Sequence, residues 1–259
     1  DESEINKNVH ADIGIAADIR EVLHELNKEP VFLPRQEWME TIRRWKTEHP
    51  LAYHPVPDKL KPQQVIETLY RLTDGKAVIV PGVGQHQMWA AQFYQYTRPR
   101  QLLTSGGLGT MGFGLPAAMG AKLALPEELI INIDGDGSFQ MNIQELGTIA
   151  VEEIAVKMII LNNQHLGMVA QIEDLFYRGK RGNTDLRTKE NKPFPHFVGI
   201  ANSYDIPARD VFSADELEDA IREMLETPGP FLLDCHTVYQ DHVLPMIPGG
   251  KSCKDMITE

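Results

Sequence analysis

Two short polar segments follow apolar runs and contain the residue types that hold a divalent cation. The segment Gly135 to Ser138 (Gly-Asp-Gly-Ser) closes the run Leu129 to Ile133, and Asn162-Asn163 closes the run Val156 to Leu161. Parallel strands end at one edge of a sheet, where open α/β folds bind ligands. A carboxylate and an amide oxygen suit Mg²⁺, which keeps coordination places for phosphate. We therefore predict that Asp136 and Asn163 hold a diphosphate through a metal.

The residues around Asp136 fit an anion as well. Gly135 and Gly137 let backbone approach a bulky ligand without a Cβ in the way. Ser138 adds a hydroxyl and an N–H group at a helix start, which favours phosphate. The alternative is a Gly-Asp-Gly turn and an Asn-Asn loop that bind nothing, because such turns are common. The placement of both segments at strand ends favours the ligand site.

A second loop has the same strand-to-helix position. Residues 81–86 (Pro-Gly-Val-Gly-Gln-His) follow an apolar strand and open a helix, so that their N–H groups and the side chains of Gln85 and His86 can reach a phosphate. A plain turn is the alternative, in which His86 has a structural role. Both interpretations remain open at this point.

A glycine cluster offers two further interpretations. Residues 107–112 (Gly-Leu-Gly-Thr-Met-Gly) form a G-x-G-x-x-G motif that precedes a helix, with Asp134 about twenty residues on, as in dinucleotide-binding folds. That fingerprint requires a strand before the glycines, whereas residues 100–104 are a poor buried strand. In the other interpretation, Gly109 and Met111 line the aromatic ring of a cofactor through backbone groups.

The hydrophobic pattern then places these loops in a fold. Strands are predicted over residues 77–80, 129–133, 156–161, 209–212 and 231–236. Helices are predicted between and around them, over residues 63–72, 85–96, 113–125, 139–151, 167–177, 194–204 and 214–226. A Ser213/Glu216 capping box is predicted to open the last helix. Alternating strands and helices predict an α/β fold with a doubly wound, mainly parallel sheet and helices on both faces.

The ends of the chain differ from this pattern. Asp18 and Ile19 open a single amphipathic helix with polar flanks, which cannot form a domain, so residues 1–35 are interpreted as the C-terminal remnant of a preceding α/β domain. Residues 36–60 are rich in proline and predict a linker with one helix over 35–47. Residues 61–242 form the main domain, and residues 243–259 an irregular tail that can act as a lid over the site.

Bulk properties exclude several function classes. The 25 basic and 37 acidic residues give a formal charge of −12, which argues against a nucleic-acid or membrane surface. No apolar run reaches the roughly 18 residues needed to span a membrane. Cys235 and Cys253 form no spaced ligand set, which suits a reducing compartment.

The motifs together resemble the acetohydroxyacid synthases (acetolactate synthases), in the catalytic subunit. The resemblance rests on the four segments 81–86, 104–114, 135–138 and 162–169, and on the tail sequence His-Val-Leu-Pro-Met-Ile-Pro at 242–248. It covers most of the chain from about Lys61 to Glu259. Residues 1–35 resemble the end of that family's middle, flavin-binding domain.

The resemblance implies roles for individual residues. The metal ligands would be the side chains of Asp136 and Asn163 and the backbone carbonyl of His165. The thiamine diphosphate cofactor would contact Val83, Gly84, Gln85, His86, Gly109, Met111, Gly137, Ser138, Leu166, Gly167 and Met168. The substrate and inhibitor channel would be bordered by Met168, Val169, Ile172 and Gly249. Asp18 and Ile19 would contact FAD in the full-length enzyme.

The implied activity is the condensation of two 2-ketoacids with loss of CO₂, yielding 2-acetolactate or 2-aceto-2-hydroxybutyrate, the first common step of branched-chain amino-acid biosynthesis. The implied cofactors are thiamine diphosphate, Mg²⁺ and, in the full-length enzyme, FAD. The family implies a homodimer or tetramer, a regulatory subunit, and a catalytic glutamate on a separate N-terminal domain. We therefore expect this chain alone to supply only the diphosphate and metal half of the site and to lack synthase activity. The location would be cytoplasmic in a bacterium and plastid in a plant.

Two departures and three alternatives accompany the resemblance. Position 172 is isoleucine where plant enzymes usually carry tryptophan, which predicts weak inhibition by sulfonylurea herbicides. Residues 178–191 do not follow the plant pattern, and the basic loop 178–193 is most simply a solvated surface. The alternatives are a pyruvate oxidase or 2-ketoacid decarboxylase that uses the same cofactor, a dinucleotide-binding oxidoreductase domain, and a non-enzymatic cofactor-binding or assembly domain.

Overall fold

A computed structural model describes residues 1–28, 34–190, 192 and 194–258. Residues 29–33, at the predicted end of the N-terminal remnant, lie outside the described residues. So do Asn191 and Pro193 in the predicted basic loop, and Glu259 in the predicted tail. The chain divides into two compact units, Asp1–Ala52 and Tyr53–Glu259.

The first unit consists of short helical segments. It contains a 3₁₀ turn, Glu2–Glu4, and the helices α1, Ile19–Leu26, and α2, Gln36–Glu48. Asp18 caps α1, since its Oδ1 accepts a hydrogen bond of 2.8 Å from the Arg20 backbone N–H. Helix α2 forms where one helix is predicted within the linker. The assignment of residues 1–35 to a flavin-binding domain stays a prediction.

The second unit contains a five-stranded parallel sheet. Its strands are β1, Val78–Pro81; β2, Ile130–Gly135; β3, Lys157–Asn162; β4, Ala208–Val211; and β5, Phe231–His236. Their spatial order is β1-β2-β3-β5-β4. The three central strands are buried almost throughout, as expected for a parallel sheet covered on both faces.

Helices connect the strands and cover the sheet. They are α3, Pro62–Leu72; α4, Gln85–Phe93; α5, Gly114–Ala124; α6, Asp136–Phe139; α7, Glu145–Val151; α8, Gly167–Phe176; α9, Phe197–Ser203; and α10, Ala214–Glu226. Short 3₁₀ turns cover Gln140–Asn142 and Cys253–Asp255.

Two apolar clusters lie on opposite faces of the sheet. One joins the sheet to α3, α4 and α10 through residues such as Leu69, Trp89 and Ile221. The other joins it to α5, α7 and α9 through residues such as Leu115 and Phe197. The doubly wound α/β fold predicted from the sequence is therefore confirmed.

Two local predictions are corrected by the structure. The helix predicted over 139–151 is divided into α6, a 3₁₀ turn and α7, and the turn places the Asn142 side chain to donate a hydrogen bond of 2.7 Å to the Gly112 carbonyl. The Ser213/Glu216 capping box does not form. The Ser213 hydroxyl donates instead to the Glu216 carboxylate at 2.8 Å, a charge-assisted bond that joins the two side chains to each other and not to the helix N–H groups.

The carboxyl ends of the strands form one polar edge. The register pairs Gly135 of β2 with Leu161 of β3, so that Asp136 and Asn162 follow these strands side by side. Cys235 is buried within β5, whereas Cys253 is exposed in the tail. Across the described residues, every helix is too short or too polar to cross a membrane.

Candidate functional site

A cleft opens at the carboxyl edge of the sheet. Four segments that the sequence singled out meet in it: the loop after β1, the glycine-rich loop before α5, the turn after β2 and the loop after β3. The predicted site residues that line it are Val83, Gly84, Gln85, His86, Met111, Asp136, Gly137, Ser138, Asn163, His165, Leu166, Gly167, Met168 and Val169. The structure thus brings together residues that lie far apart in the sequence.

Asp136 is the most unusual group of this cleft. Its side chain is 1% exposed, and its Oδ2 has no hydrogen-bond partner among the described residues. Burial raises the pKa of this carboxyl to about 8, and the charge of Asp234 adds to the rise. Backbone N–H groups of Asp136, Gly137 and Gln164 oppose it. A buried carboxylate with a free oxygen and a raised pKa is the arrangement that a cation relieves.

The loop after β3 faces this carboxylate. Gln164 adopts the left-handed backbone region, with φ of 57°, which directs its N–H to Asp136. The Asn163 side-chain oxygen accepts a hydrogen bond of 3.1 Å from the His165 N–H, and its amide nitrogen donates to Gln85 at 3.3 Å. Asn163 is therefore held in one orientation beside Asp136.

His165 has a different side-chain environment from a metal-binding histidine. Its ring packs edge-on against Tyr239, with centroids 3.9 Å apart, and both ring nitrogens lack a partner among the described residues. Burial lowers the pKa of this imidazole, so the ring is neutral at pH 7. The ring of His165 is thus directed at Tyr239, and its backbone is the part that remains for a ligand beside Asp136.

His86 lies deep in the cleft beside a second carboxylate. Its Nε2 is 3.3 Å from Asp134 Oδ1, without hydrogen-bond alignment. The space for Asp134 exists because residue 82 is glycine: a Cβ there would lie 1.9 Å from Asp134 Oδ1. The sequence analysis considered Asp134 only within a dinucleotide motif and missed this contact.

Ser138 joins two of the loops. Its hydroxyl oxygen accepts hydrogen bonds from the Gly112 N–H at 3.1 Å and the Val83 N–H at 3.3 Å. Gly137 lies next to it at a tight point, where a Cβ would come within 2.7 Å of Leu166 Cδ2 and 3.7 Å of Met111 Cε. These contacts shape a narrow cradle lined by backbone groups.

Five of the predicted site residues lie outside this set. Gly109, Ile172 and Gly249 are absent from the lining of the cleft, although the Gly109 Cα neighbours Val83: a Cβ there would lie 3.8 Å from Val83 Cγ1. Asp18 and Ile19 belong to the first unit, where Asp18 serves as a helix cap and Ile19 is 69% exposed.

The basic loop is more structured than its composition predicts. Leu166 N–H donates to the Thr184 carbonyl at 2.8 Å, and Leu186 N–H donates to the Gln164 carbonyl at 2.9 Å. Arg187 pairs with Asp185 at 2.6 Å and lies over the Tyr239 ring. The interpretation of 178–193 as a solvated surface is therefore wrong for Thr184, which is buried, whereas Asp185 is exposed as expected.

The sequence analysis also missed a set of glutamines. Gln171 of α8 is 1% exposed and forms hydrogen bonds to Gln85 and to both backbone groups of Val243. The one signal available in the sequence was a glutamine among the apolar residues of the first two turns of α8. The tail thereby begins as an ordered segment next to the cleft.

A separate polar cluster lies at the ends of β4 and β5. His236 Nε2 lies 2.8 Å from Asp210 Oδ1 and 3.6 Å from Asp234 Oδ2. Asp234 accepts from Asn162 Nδ2 at 2.9 Å, and the His236 ring stacks on Phe212. Burial raises the pKa of the Asp234 carboxyl to about 6. This cluster satisfies its own charges.

The glycine cluster at 107–112 does not follow a strand. Among the described residues, the segment before it forms only a single parallel bridge, between Leu102 and Ile79. Because the dinucleotide fingerprint needs a full strand there, the structure does not support that interpretation.

Comparison with known proteins agrees with this geometry. Residues 82–235, more than half of the chain, match the family described as thiamine pyrophosphate enzyme, C-terminal TPP binding domain. The chain belongs to this family. The matched range of the TPP-binding domain runs from the loop after β1 to the end of β5 and so includes the four segments that meet in the cleft.

The TPP-binding domain has close relatives among plant enzymes. Acetolactate synthase 1, chloroplastic, of Nicotiana tabacum is 50% identical over 100% of this chain, and the match covers 40% of that relative. Acetolactate synthase, chloroplastic, of Arabidopsis thaliana is 48% identical over 100% of this chain, with 40% of the relative covered. The chain thus spans well under half the length of the curated relatives it matches.

A solved structure shares the fold of the TPP-binding domain. The thiamine diphosphate-dependent 4-hydroxybenzoylformate decarboxylase of Rhodococcus jostii RHA1 superposes with a TM-score of 0.63 at 27% identity. The superposition covers 73% of this chain and 34% of that structure.

Proposed function

We propose that this chain supplies the diphosphate- and metal-binding half of an acetolactate synthase active site. The main support is the Asp136 carboxylate, which is buried at the cleft of a TPP-binding domain. One of its oxygens has no hydrogen-bond partner among the described residues. The substrates would be two 2-ketoacids that condense with loss of CO₂. The plant acetolactate synthases, which are 50% and 48% identical to this chain, support this activity over other activities of the family.

The residues present fit a hard divalent cation such as Mg²⁺. The free oxygen of Asp136, the side-chain oxygen of Asn163 and the backbone carbonyl of His165 would be its ligands, and all are oxygen atoms. A cation would restore the electrostatic stabilisation that Asp136 loses on burial, and would lower the pKa of that carboxyl.

The cradle fits the diphosphate and rings of the cofactor. Backbone N–H groups at Gly137 and Ser138 open helix α6 and can donate to a phosphate, while the glycine at 137 leaves room for its approach. His86 and Gln85 would border the diphosphate, and Met111 would support the rings. When bound, thiamine diphosphate supplies a nucleophilic carbon and an electron sink for decarboxylation of a 2-ketoacid.

The open side of the cleft would receive the substrates. Met168 and Val169 lie there at the start of α8, and Val169 is 49% exposed. Their apolar side chains would exclude water from the reacting carbon while the metal loop holds the anionic end of the cofactor. Ile172, one turn further along α8, would border the same channel, as would Gly249 in the tail.

Calorimetry provides the direct test. Titration of thiamine diphosphate in the presence of Mg²⁺ should give saturable heat with the wild-type chain and none with Asp136→Ala. The matched control is Asp210→Ala, which removes a carboxylate from the other polar cluster and should bind normally. Binding that survives in Asp136→Ala, or heat from NAD in place of thiamine diphosphate, would contradict the proposal.

A decarboxylase activity is the second candidate. The superposition on the 4-hydroxybenzoylformate decarboxylase favours it, because the same fold there serves a different ketoacid reaction. Product analysis with pyruvate, in an assembly that includes the missing catalytic domain, separates the two: 2-acetolactate supports the synthase and acetaldehyde the decarboxylase.

The remaining properties are those that the family resemblance implies. We infer that the whole protein binds FAD, forms a homodimer or tetramer and acts with a regulatory subunit. A plastid location is supported by the chloroplastic relatives. Copurification of flavin with the full-length protein and its mass in solution would check the first two points.

A further inference from the structure

Three side-chain amides, one of them from the predicted metal ligand Asn163, form a chain of hydrogen bonds that ends at the backbone of the tail. We call this set, formed by Asn163, Gln85 and Gln171, the amide relay. Each member is at most 9% exposed. A carboxamide has a donor end and an acceptor end, so the orientation of one member determines that of the next.

The orientation of Gln85 is determined by the backbone just before the tail. Its Nε2 donates a hydrogen bond of 2.6 Å to the backbone carbonyl of Asp241, which can only accept. The Oε1 of Gln85 must therefore face the other way, where it accepts from Asn163 Nδ2 at 3.3 Å. Rotation of this amide would place two acceptors against each other.

Gln85 in turn determines the orientation of Asn163. Because the Asn163 amide nitrogen is used by Gln85, its oxygen faces the opposite side and accepts from the His165 N–H at 3.1 Å. A carboxamide oxygen accepts two bonds, so one lone pair remains for a cation. In the reversed orientation an NH₂ group would face that cation and repel it.

Gln171 fixes Gln85 from behind. Its Oε1 accepts from Gln85 Nε2 at 3.0 Å and from the Val243 N–H at 2.8 Å, while its Nε2 donates to the Val243 carbonyl at 3.1 Å. Since it pairs with both backbone groups of one residue, Gln171 cannot rotate without losing both. Gly167 completes the fit, because a Cβ there would lie 2.0 Å from Gln85 Oε1.

We propose that Gln85 and Gln171 are positioning residues through which the backbone of residues 241–243 turns the oxygen of Asn163 towards the metal. The proposal rests on the proposed metal site. It makes the start of the tail a part of that site, although no tail residue contacts the metal. Ligands of metals are commonly oriented by such outer contacts, whose loss weakens metal affinity by about 10- to 100-fold.

The chain contains a matched control in Gln92. This residue belongs to the same helix as Gln85 and donates to the tail carbonyl of Leu244 at 3.2 Å, and it forms no hydrogen bond to Asn163 within the described part of the chain. Gln171→Met removes the amide contacts to Val243 and Met246, and Gln92→Met removes the one to Leu244, both with little change in volume. Only Gln171→Met interrupts the amide relay.

The experiment measures Mn²⁺ binding by electron paramagnetic resonance at saturating thiamine diphosphate, with hydrogen exchange at residues 243–246 as the structural readout. Both variants should exchange faster in the tail. Gln171→Met should weaken Mn²⁺ binding about tenfold and broaden its spectrum, whereas Gln92→Met should change it less than about twofold.

Two results would overturn the proposal while the proposed function stands: wild-type affinity in Gln171→Met, or equal losses in both methionine variants. Should Gln171→Met fail to fold, Gln171→Asn provides the same test, because the shorter side chain keeps the amide but loses the reach. Failure of the wild-type chain to bind Mn²⁺ with thiamine diphosphate would instead overturn the proposed function, and the amide relay with it.

Discussion

Asp136 and Asp234 are both buried carboxylates near the carboxyl ends of strands, yet their surroundings differ. Asp234 accepts hydrogen bonds from Asn162 and faces His236, so its charge is balanced within the protein. Asp136 keeps one oxygen without a partner among the described residues, and the charge of Asp234 raises its pKa further. The protein thus balances one buried charge internally and leaves the other for a ligand to balance.

The largest effect is expected from Asp136→Asn. Its pKa is raised from an ordinary value of 3.8 to about 8, so the folded state holds this proton more tightly than the unfolded state. Stability therefore decreases as pH rises from about 4 to 8, and asparagine should restore on the order of 4 kcal/mol at pH 8. Urea unfolding without metal measures the gain, and calorimetry should show thiamine diphosphate binding lost.

If Asp136→Asn is less stable than wild type at pH 8 without metal, the contrast between an unbalanced Asp136 and a balanced Asp234 is wrong. Mg²⁺ with thiamine diphosphate is the internal control, since it should stabilise the wild-type chain and leave Asp136→Asn unchanged.

Asp234→Asn should have a smaller effect. The pKa of Asp234 is raised from 3.8 to about 6, so stability is lost as pH rises from about 4 through 6, and the bonds to Asn162 partly offset this loss. We expect a gain of about 1–2 kcal/mol at pH 8 and unchanged binding of metal and cofactor. A pH series of urea unfolding from 4 to 9 distinguishes the two carboxylates by the range in which each variant departs from wild type. Loss of cofactor binding in Asp234→Asn would show that the sites of Asp136 and Asp234 are not independent.

Gly167→Ala tests the packing of helix α8 against Gln85 and Asn163. The added methyl would lie 2.0 Å from Gln85 Oε1 and 2.9 Å from Asn163 Nδ2, and should destabilise the chain by about 1–3 kcal/mol and weaken Mg²⁺ binding. The control is Gly120→Ala in helix α5, where no atom lies within 4 Å of the added Cβ and a gain of about 0.5–1 kcal/mol is expected. Thermal unfolding of both variants measures the difference, and a stabilised Gly167→Ala would contradict the described packing.

The smallest effect is expected from Ser138→Ala. Two N–H groups, of Val83 and Gly112, would lose their acceptor, which predicts a loss of about 1 kcal/mol. Because diphosphate oxygens can accept from such groups, the loss should shrink when thiamine diphosphate and Mg²⁺ are bound. Melting curves with and without cofactor measure this change; an equal loss in both states would show that the hydroxyl acts only on the fold.

How well the sequence predicted a feature depended on how far apart in the chain the residues that form it lie. The strands and most helices were predictable because apolar periodicity is local, and the register then placed Asp136 and Asn162 side by side. Interactions between distant segments were not. The pairing of residues 164–166 with 184–186, the contact of His86 with Asp134 and the contacts of Gln171 with Val243 depend on three-dimensional proximity that composition does not encode. The broken helix at 139–151 likewise depends on a tertiary bond from Asn142 to Gly112.

The two cysteines have a practical consequence. Cys235 is enclosed in β5, and burial raises the pKa of its thiol, so it is protected from alkylation in the folded state. Cys253 is exposed in the tail. A maleimide fluorophore would therefore attach to the native protein at one position. Emission from that dye would report the motion of the tail during cofactor titration in real time, without any engineered residue.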